Sequence, residues 1–279
     1  MNLIPLYWAR KKLEIKTDDD ELYEYTVYGW SCSNQDAAEQ HAEKRSQELK
    51  KRVLDHDLKS KSYGYLCTAI REEVVETVID EGDLQTVITR NRYGALVLNS
   101  NHLLIADIDL PKTKPGFFAS LFGSDSKERG RAQVLEVIER YHQNNPSRSF
   151  ALYHTKNGFR LIFLDKDYRF DDQEVHKAFN DLNVDPLYSK LTQFQKCFRA
   201  RLTPKPWRLY HPNPPNSFPF ETEDHRIVYQ RWLEEYNNKS NEFSVCRKEK
   251  VYGNPNLSAS AAKALDVHDR FSCGTKALA

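Results

Sequence analysis

Leu103-Leu104-Ile105-Ala106-Asp107-Ile108-Asp109-Leu110 ends an apolar run with two carboxylates spaced two apart. In a β-strand, residues i and i+2 project to the same face, so Asp107 and Asp109 point together. Carboxylates crowded on one desolvated face repel each other and stay ionised beside a cation. The breaker Pro111-Lys112-Thr113-Lys114-Pro115-Gly116 follows, so the stretch reads as a buried strand that emerges into a loop. The bland alternative has one Asp capping a turn and the other in solvent. The sharper reading is a divalent metal held by both.

Outward from this strand, the chain alternates strands and helices. Upstream, Leu6 to Ile15 and Leu22 to Tyr28 read as two strands around the turn Asp18-Asp19-Asp20-Glu21. Ser33-Asn34-Gln35-Asp36 supplies an N-cap for a long charged helix over Ala37 to Leu54, with Ala38, Leu49, Val53 and Leu54 as its apolar face. β-Rich segments at Val74 to Ile79, Val87 to Thr89 and Ala95 to Leu98 suggest hairpins leading antiparallel into the Asp107/Asp109 strand, with the carboxylates near the sheet centre. Downstream, Gly116-Phe117-Phe118 and Leu121-Phe122 mark an aromatic loop, either a partner surface or folded back on the core.

A helix over about Lys127 to Gln143 carries Val134, Val137, Ile138 and Tyr141 at helical spacing. Two strands, Phe150 to Tyr153 and Phe159 to Leu164, flank an Asn157-Gly158 hairpin signal. Helices over Asp172 to Leu182 and from Pro186, a strand over 197 to 202, a helix over Asp224 to Tyr236, a strand over Phe243 to Tyr252 and a helix over Ala259 to Phe271 complete the order, with Ser272 to Ala279 expected to fray. This order argues for an α+β fold, a sheet with helices on one face.

The 279 residues suit one compact unit. They divide into an N-terminal α/β part (1–94), a core (95–222) and a C-terminal helical extension (223–279). No run reaches the roughly 18 apolar residues that span a bilayer, and the N-terminus lacks a signal pattern, so no membrane partner is expected. The cysteines Cys32, Cys67, Cys197, Cys246 and Cys273 are odd in number, far apart and without Cys-x-x-Cys. That disfavours a disulfide framework or zinc knuckle and fits a reducing, cytoplasmic setting. Cys197, though beside Lys196 and Arg199, reads as a buried inert thiol. Basic and acidic side chains, 41 and 40, nearly cancel, so any nucleic-acid footprint must be local. Serine-hydrolase, P-loop and dinucleotide motifs are absent from the sequence.

Two local clusters add to the carboxylates. In the hairpin, Gly158 allows close backbone approach, while Thr155, Lys156 and Arg160 offer a hydroxyl and positive charges. Further on, Lys196-Cys197-Phe198-Arg199-Ala200-Arg201-Leu202-Thr203-Pro204-Lys205-Pro206-Trp207-Arg208 interleaves cations with aromatics. On a strand Arg199 and Arg201 share a face, Lys205 and Arg208 extend the charge through a Pro-containing loop, and Trp207 offers a base-stacking platform. The solvated turn and a core Trp207 are the plain alternatives.

Taken in order, Ile105-Ala106-Asp107-Ile108-Asp109, Thr155-Lys156-Asn157-Gly158-Phe159-Arg160-Leu161-Ile162-Phe163 and Val184-Asp185 resemble the three motifs of the archaeo-eukaryotic primase superfamily, particularly its primase-polymerase branch. The resemblance covers about Ala95 to Leu209. It implies an RRM-like, primase-type antiparallel sheet with flanking helices, to which the N-terminal α/β part is an extension. It further implies Mg²⁺ or Mn²⁺ held by Asp107, Asp109 and Asp185 as catalytic carboxylates. A nucleoside triphosphate would be seated by Thr155, Lys156, Gly158 and Arg160, and a single-stranded or primed nucleic acid or its phosphates held by Arg199, Arg201, Lys205, Trp207 and Arg208. Two departures matter. The family's phosphate-contacting His falls on Arg160, which is permanently charged and cannot serve as an imidazole. Asp185 precedes Pro186 and reads equally well as a helix cap. The expected function is a nucleotidyltransferase of DNA replication or repair. The alternatives are a catalytically silent nucleotide-binding or nucleic-acid-binding relative and a metal-dependent nuclease.

Overall fold

The computed structural model describes residues 4–16, 21–55, 69–111 and 123–279. The chain opens with an antiparallel hairpin, β1 (Tyr7–Lys16) and β2 (Leu22–Ser31), paired from Tyr7 against Ser31 to Lys16 against Leu22. Helix α1 (Gln35–Leu54) follows, and Asn34 caps it by accepting from Ala37 N at 2.8 Å. Its buried positions are Ala38, Ala42, Ser46 and Val53, while Leu54 is exposed. Small residues line this face because the helix lies directly on β2: a Cβ on Gly29 would sit 2.1 Å from Ala42 N. Only glycine permits that approach.

Two four-stranded antiparallel sheets form the centre. The first runs in the order β3 (Glu73–Glu81), β4 (Leu84–Arg90), β5 (Leu96–Ser100) and β9 (Phe198–Arg201). The second runs in the order β10 (Cys246–Tyr252), β7 (Phe150–Thr155), β8 (Gly158–Phe163) and β6 (Ile105–Asp109). The expected hairpins therefore do not lead into the Asp107/Asp109 strand. The free side of β5 is taken by β9, residues 101–104 carry the chain across, and β6 becomes an edge of the second sheet, so its carboxylates are not central. Inserting Leu103 and Leu104 fully into the core holds this crossing in place.

β6 and β9 lie side by side, and two side chains join them. The Tyr188 hydroxyl donates to Ile105 O at 2.9 Å and accepts from Arg199 N at 3.2 Å. Arg160 Nη1 donates to Arg201 O at 3.2 Å.

Among the described residues there are six helices: α1, α2 (Gly123–Asn144), α3 (Gln173–Asp181), α4 (Pro186–Gln195), α5 (Glu223–Ser240) and α6 (Ala259–Ser272). With three antiparallel sheets they make a mixed α+β protein. Ile138 and Tyr141 of α2 pack into the main core, Tyr141 meeting Phe150 and Phe163 at 6.1 Å between ring centres. Every residue of β8 is buried, which explains its unbroken apolar sequence apart from Arg160. The segment after 223 contributes β10 to the second sheet. The C-terminal residues expected to fray are hydrogen-bonded: Ser244 N donates to Ala277 O and Ala279 N to Ser244 O, both at 3.0 Å. No helix among the described residues is long and apolar enough to cross a membrane. The aromatic stretch Gly116 to Phe122, Cys67 and the turn aspartates 18–20 lie outside the described residues.

Candidate anion-binding site

The ladder between β6 and β8 sets Asp107 directly opposite Arg160 and Asp109 opposite Gly158. Arg160 is 2% exposed, and its fork closes on Asp107: Nε donates to Oδ1 at 2.7 Å and Nη2 to Oδ2 at 3.1 Å. Burial works against the guanidinium charge, but the carboxylate outweighs it and Arg160 stays firmly protonated. Both oxygens of Asp107 are thus engaged by a cation already present in the fold. A cross-strand pair of opposite charge is ordinary in exposed sheets; here its cationic half is sealed in the core.

Asp185 caps α4, its Oδ1 accepting from Leu187 N at 2.9 Å with Pro186 in the first turn. This is the capping role that Asp before Pro allows. Among the described residues, the one group of three His, Cys, Asp or Glu side chains whose ligand atoms lie within 4.8 Å of one another is His268, Asp269 and Cys273. Asp107, Asp109 and Asp185 do not form such a group. With Asp107 held by Arg160 and Asp185 turned to a helix end, these carboxylates do not fit the Mg²⁺ or Mn²⁺ ligand set expected from the motif order.

Gly158 is needed for a reason within the sheet. A Cβ there would lie 2.0 Å from Ile108 O, so the close approach it permits is that of β6 itself. Thr155 is half-buried at the end of β7, opposite Gly158, and Lys156 is exposed in the two-residue turn.

The basic segment separates into two parts. Arg199 belongs to the framework: Nη2 donates to Glu72 Oε1 at 2.7 Å and Oε2 at 2.6 Å, and this buried pair ties β9 to the residues before β3. Arg201, two residues on, is different. Its Nε is buried without a hydrogen-bond partner among the described residues. Burial, reinforced by Arg160 and Arg208, pushes its pKa down to about 10. Lys205 and Arg208 are likewise lowered, each chiefly by burial; Arg201 and Arg208 add to the effect on Lys205, while Asp109 partly offsets it on both. Asn157 of the hairpin turn presents its side-chain oxygen to Arg208 Nη2 at 3.1 Å when its amide is oriented by its partners.

A 3-10 turn over Pro206–Leu209 displays Trp207, which is 46% exposed. Lys205 Nζ stands 5.1 Å from its ring centre, and Tyr93 meets it edge-on at 5.0 Å. Trp207 is therefore on the surface and not in the core. The fold brings together Arg201, Lys205, Trp207, Arg208 and Asp109, and leaves Asp185 with α4. Asn157 and Tyr93 escaped the sequence reading: Asn157 carried only a turn signal, and Tyr93 lies more than a hundred residues before its partner.

Three half-buried cations that repel one another hold a site of positive potential whose natural complement is a multivalent oxyanion. No family model, curated protein or solved structure matches the chain.

Proposed function

We propose that this protein binds a phosphate-bearing ligand, a nucleotide or the backbone of a single-stranded nucleic acid, as a catalytically silent module of primase-like motif order. The observation that carries the reading is the buried, unpartnered Nε of Arg201 among Arg208 and Lys205. An unsatisfied buried donor costs about 1 to 3 kcal/mol, so Arg201 sits in the fold under-compensated, and a phosphate on the half-buried cluster would neutralise its charge. Trp207, exposed beside it, supplies a ring on which a base can stack. The Arg160–Asp107 pair favours binding over catalysis, because a carboxylate already neutralised by a guanidinium has lost its call on a divalent ion. The polymerase and nuclease readings become outcomes of the same test.

The test is fluorescence anisotropy of a labelled single-stranded oligonucleotide, with a nucleoside triphosphate as competitor, in Mg²⁺ and in EDTA. Binding is expected in both buffers and should weaken with salt. The double variant Arg201→Met/Arg208→Met should lose binding while keeping its fold by circular dichroism. Absence of binding by both probes to the folded wild type overturns the proposal. Template-directed incorporation, or cleavage of the strand, on addition of Mg²⁺ or Mn²⁺ would replace it with an enzyme.

A further inference from the structure

Behind Arg160, on the side away from Asp107, lies a second cluster that the phosphate reading does not use. Cys246, the first residue of β10, and Cys273, just after α6, are partners in a parallel β-bridge. Neighbouring strands lie about 4.8 Å apart, inside the roughly 4.4–6.8 Å Cα separation that a disulfide spans. Their sulfurs are 3.4 Å apart, so a bond of about 2.0 Å needs them to close by roughly 1.4 Å. The two thiols differ in access. Cys246 is fully buried, whereas Cys273 is partly exposed and lines a cleft of about 370 Å³ bounded by Leu202, Pro204, Phe243 and Arg270.

The surroundings favour a charged sulfur. The hydrogen bond from Cys273 and the charge of Arg160 hold the Cys246 thiol well below the usual thiol range, and the charge on Cys246 pushes the Cys273 thiol up. The two sulfurs lie within hydrogen-bond reach, so the Cys273 proton can pass to Cys246 and leave the thiolate at the cleft. The neighbouring histidine does not turn this cluster into a metal site. A guanidinium only donates, so His268 Nε2, 3.1 Å from Arg160 Nη1, is the acceptor nitrogen, and Nδ1 carries the proton to Asp269 Oδ1 at 2.9 Å. Both ring nitrogens are committed.

We propose that Cys246 and Cys273 are a reversible dithiol/disulfide pair, oxidised by a hydroperoxide that enters the cleft. The Cys273 thiolate attacks one peroxide oxygen, the O–O bond breaks, and the leaving oxygen departs as water after taking up a proton. Cys246 then attacks the resulting sulfenic sulfur, the S–O bond breaks, and a second water leaves. Two thiols lose two electrons and one hydrogen peroxide gains them, giving one disulfide and two waters. The bond would join β10 covalently to the end of α6 and remove a negative charge from beside Arg160.

The test treats the full chain with stoichiometric hydrogen peroxide, caps remaining thiols with iodoacetamide and maps peptides without reduction. A peptide pair linking Cys246 to Cys273, lighter by two hydrogens and separated by dithiothreitol, is expected. Cys246→Ser should instead leave a Cys273 sulfenic acid trapped by dimedone. Oxidation of Cys273 to the sulfinic acid with Cys246 still alkylatable, no linkage at all, or one zinc per chain protecting both thiols in native mass spectrometry would overturn the proposal. Wild-type mapping decides the matter if the serine variant does not fold.

Discussion

Asp107 and Arg160 face each other across the β6–β8 ladder, 53 residues apart in the chain, and meet through two hydrogen bonds of 2.7 and 3.1 Å. The arrangement makes a carboxylate expected to bind metal the counterion of a buried arginine, and the two roles have opposite consequences for stability. A carboxylate gathered for a metal is relieved by its removal when the metal is absent; a counterion is missed.

Asp107→Asn should therefore destabilise the protein by about 2 to 3 kcal/mol, below the 3 to 5 of a fully sealed pair because the Asp107 side chain is 38% exposed. Asp109→Asn, on the exposed strand end, should change stability by less than about 0.5 kcal/mol. Urea unfolding of both variants checks this, and equal small effects would contradict the counterion role.

Arg201→Met should raise the melting temperature of the ligand-free protein and abolish its response to phosphate. A cation whose folded pKa, here about 10, lies below its unfolded value costs stability at every pH beneath the folded value. Replacing it with an apolar chain of similar length removes that cost, by about 1 kcal/mol. Thermal shift with and without tripolyphosphate reads both effects. A variant that is less stable and still responds would place the anion elsewhere.

Trp207→Ala should leave the fold nearly untouched, since the ring is half in solvent, yet weaken oligonucleotide binding by about 1 to 3 kcal/mol. Binding of inorganic phosphate should be unchanged, which separates stacking from charge.

Acid should weaken the Cys246 region through Asp269. Burial opposes its charge, but hydrogen bonds from His268 and Tyr153, with the charge of Lys248, bring its pKa to about 2. A carboxylate depressed in the fold contributes stability that is present above its unfolded pKa near 3.9 and lost as pH falls towards 2. The stability gap between wild type and Asp269→Asn, about 1 to 2 kcal/mol at pH 6, should narrow across pH 4 to 2 in denaturant titrations.

The strands and helices were legible because local chemistry agreed with the final fold. Asn34 and Asp185 announced helix starts, Asn157-Gly158 a tight turn, and the 3.6-residue spacing of Val134, Ile138 and Tyr141 a buried helix face. Pairing between sheets was not legible. That β9 rather than β6 completes the first sheet depends on which edge is free after the chain crosses at Leu103 and Leu104, a property of the assembled layers. The basic cluster was visible as a run of charges, but its division was not: Arg199 and Arg201 alternate identically along β9, and only Glu72, 127 residues away, makes the first a framework residue. The cysteine pair had no signal at all, since 27 residues separate its members.

The Tyr188 hydroxyl is bonded to backbone groups of both central sheets at their seam. The two sheets share one core, and the phenol adds a polar tie at the seam that couples their opening. In Tyr188→Phe, amide deuterium uptake in β3, β4 and β5 should part company with that in β7 and β8. The anion cluster, drawn from both halves, would then be the first region to lose its shape.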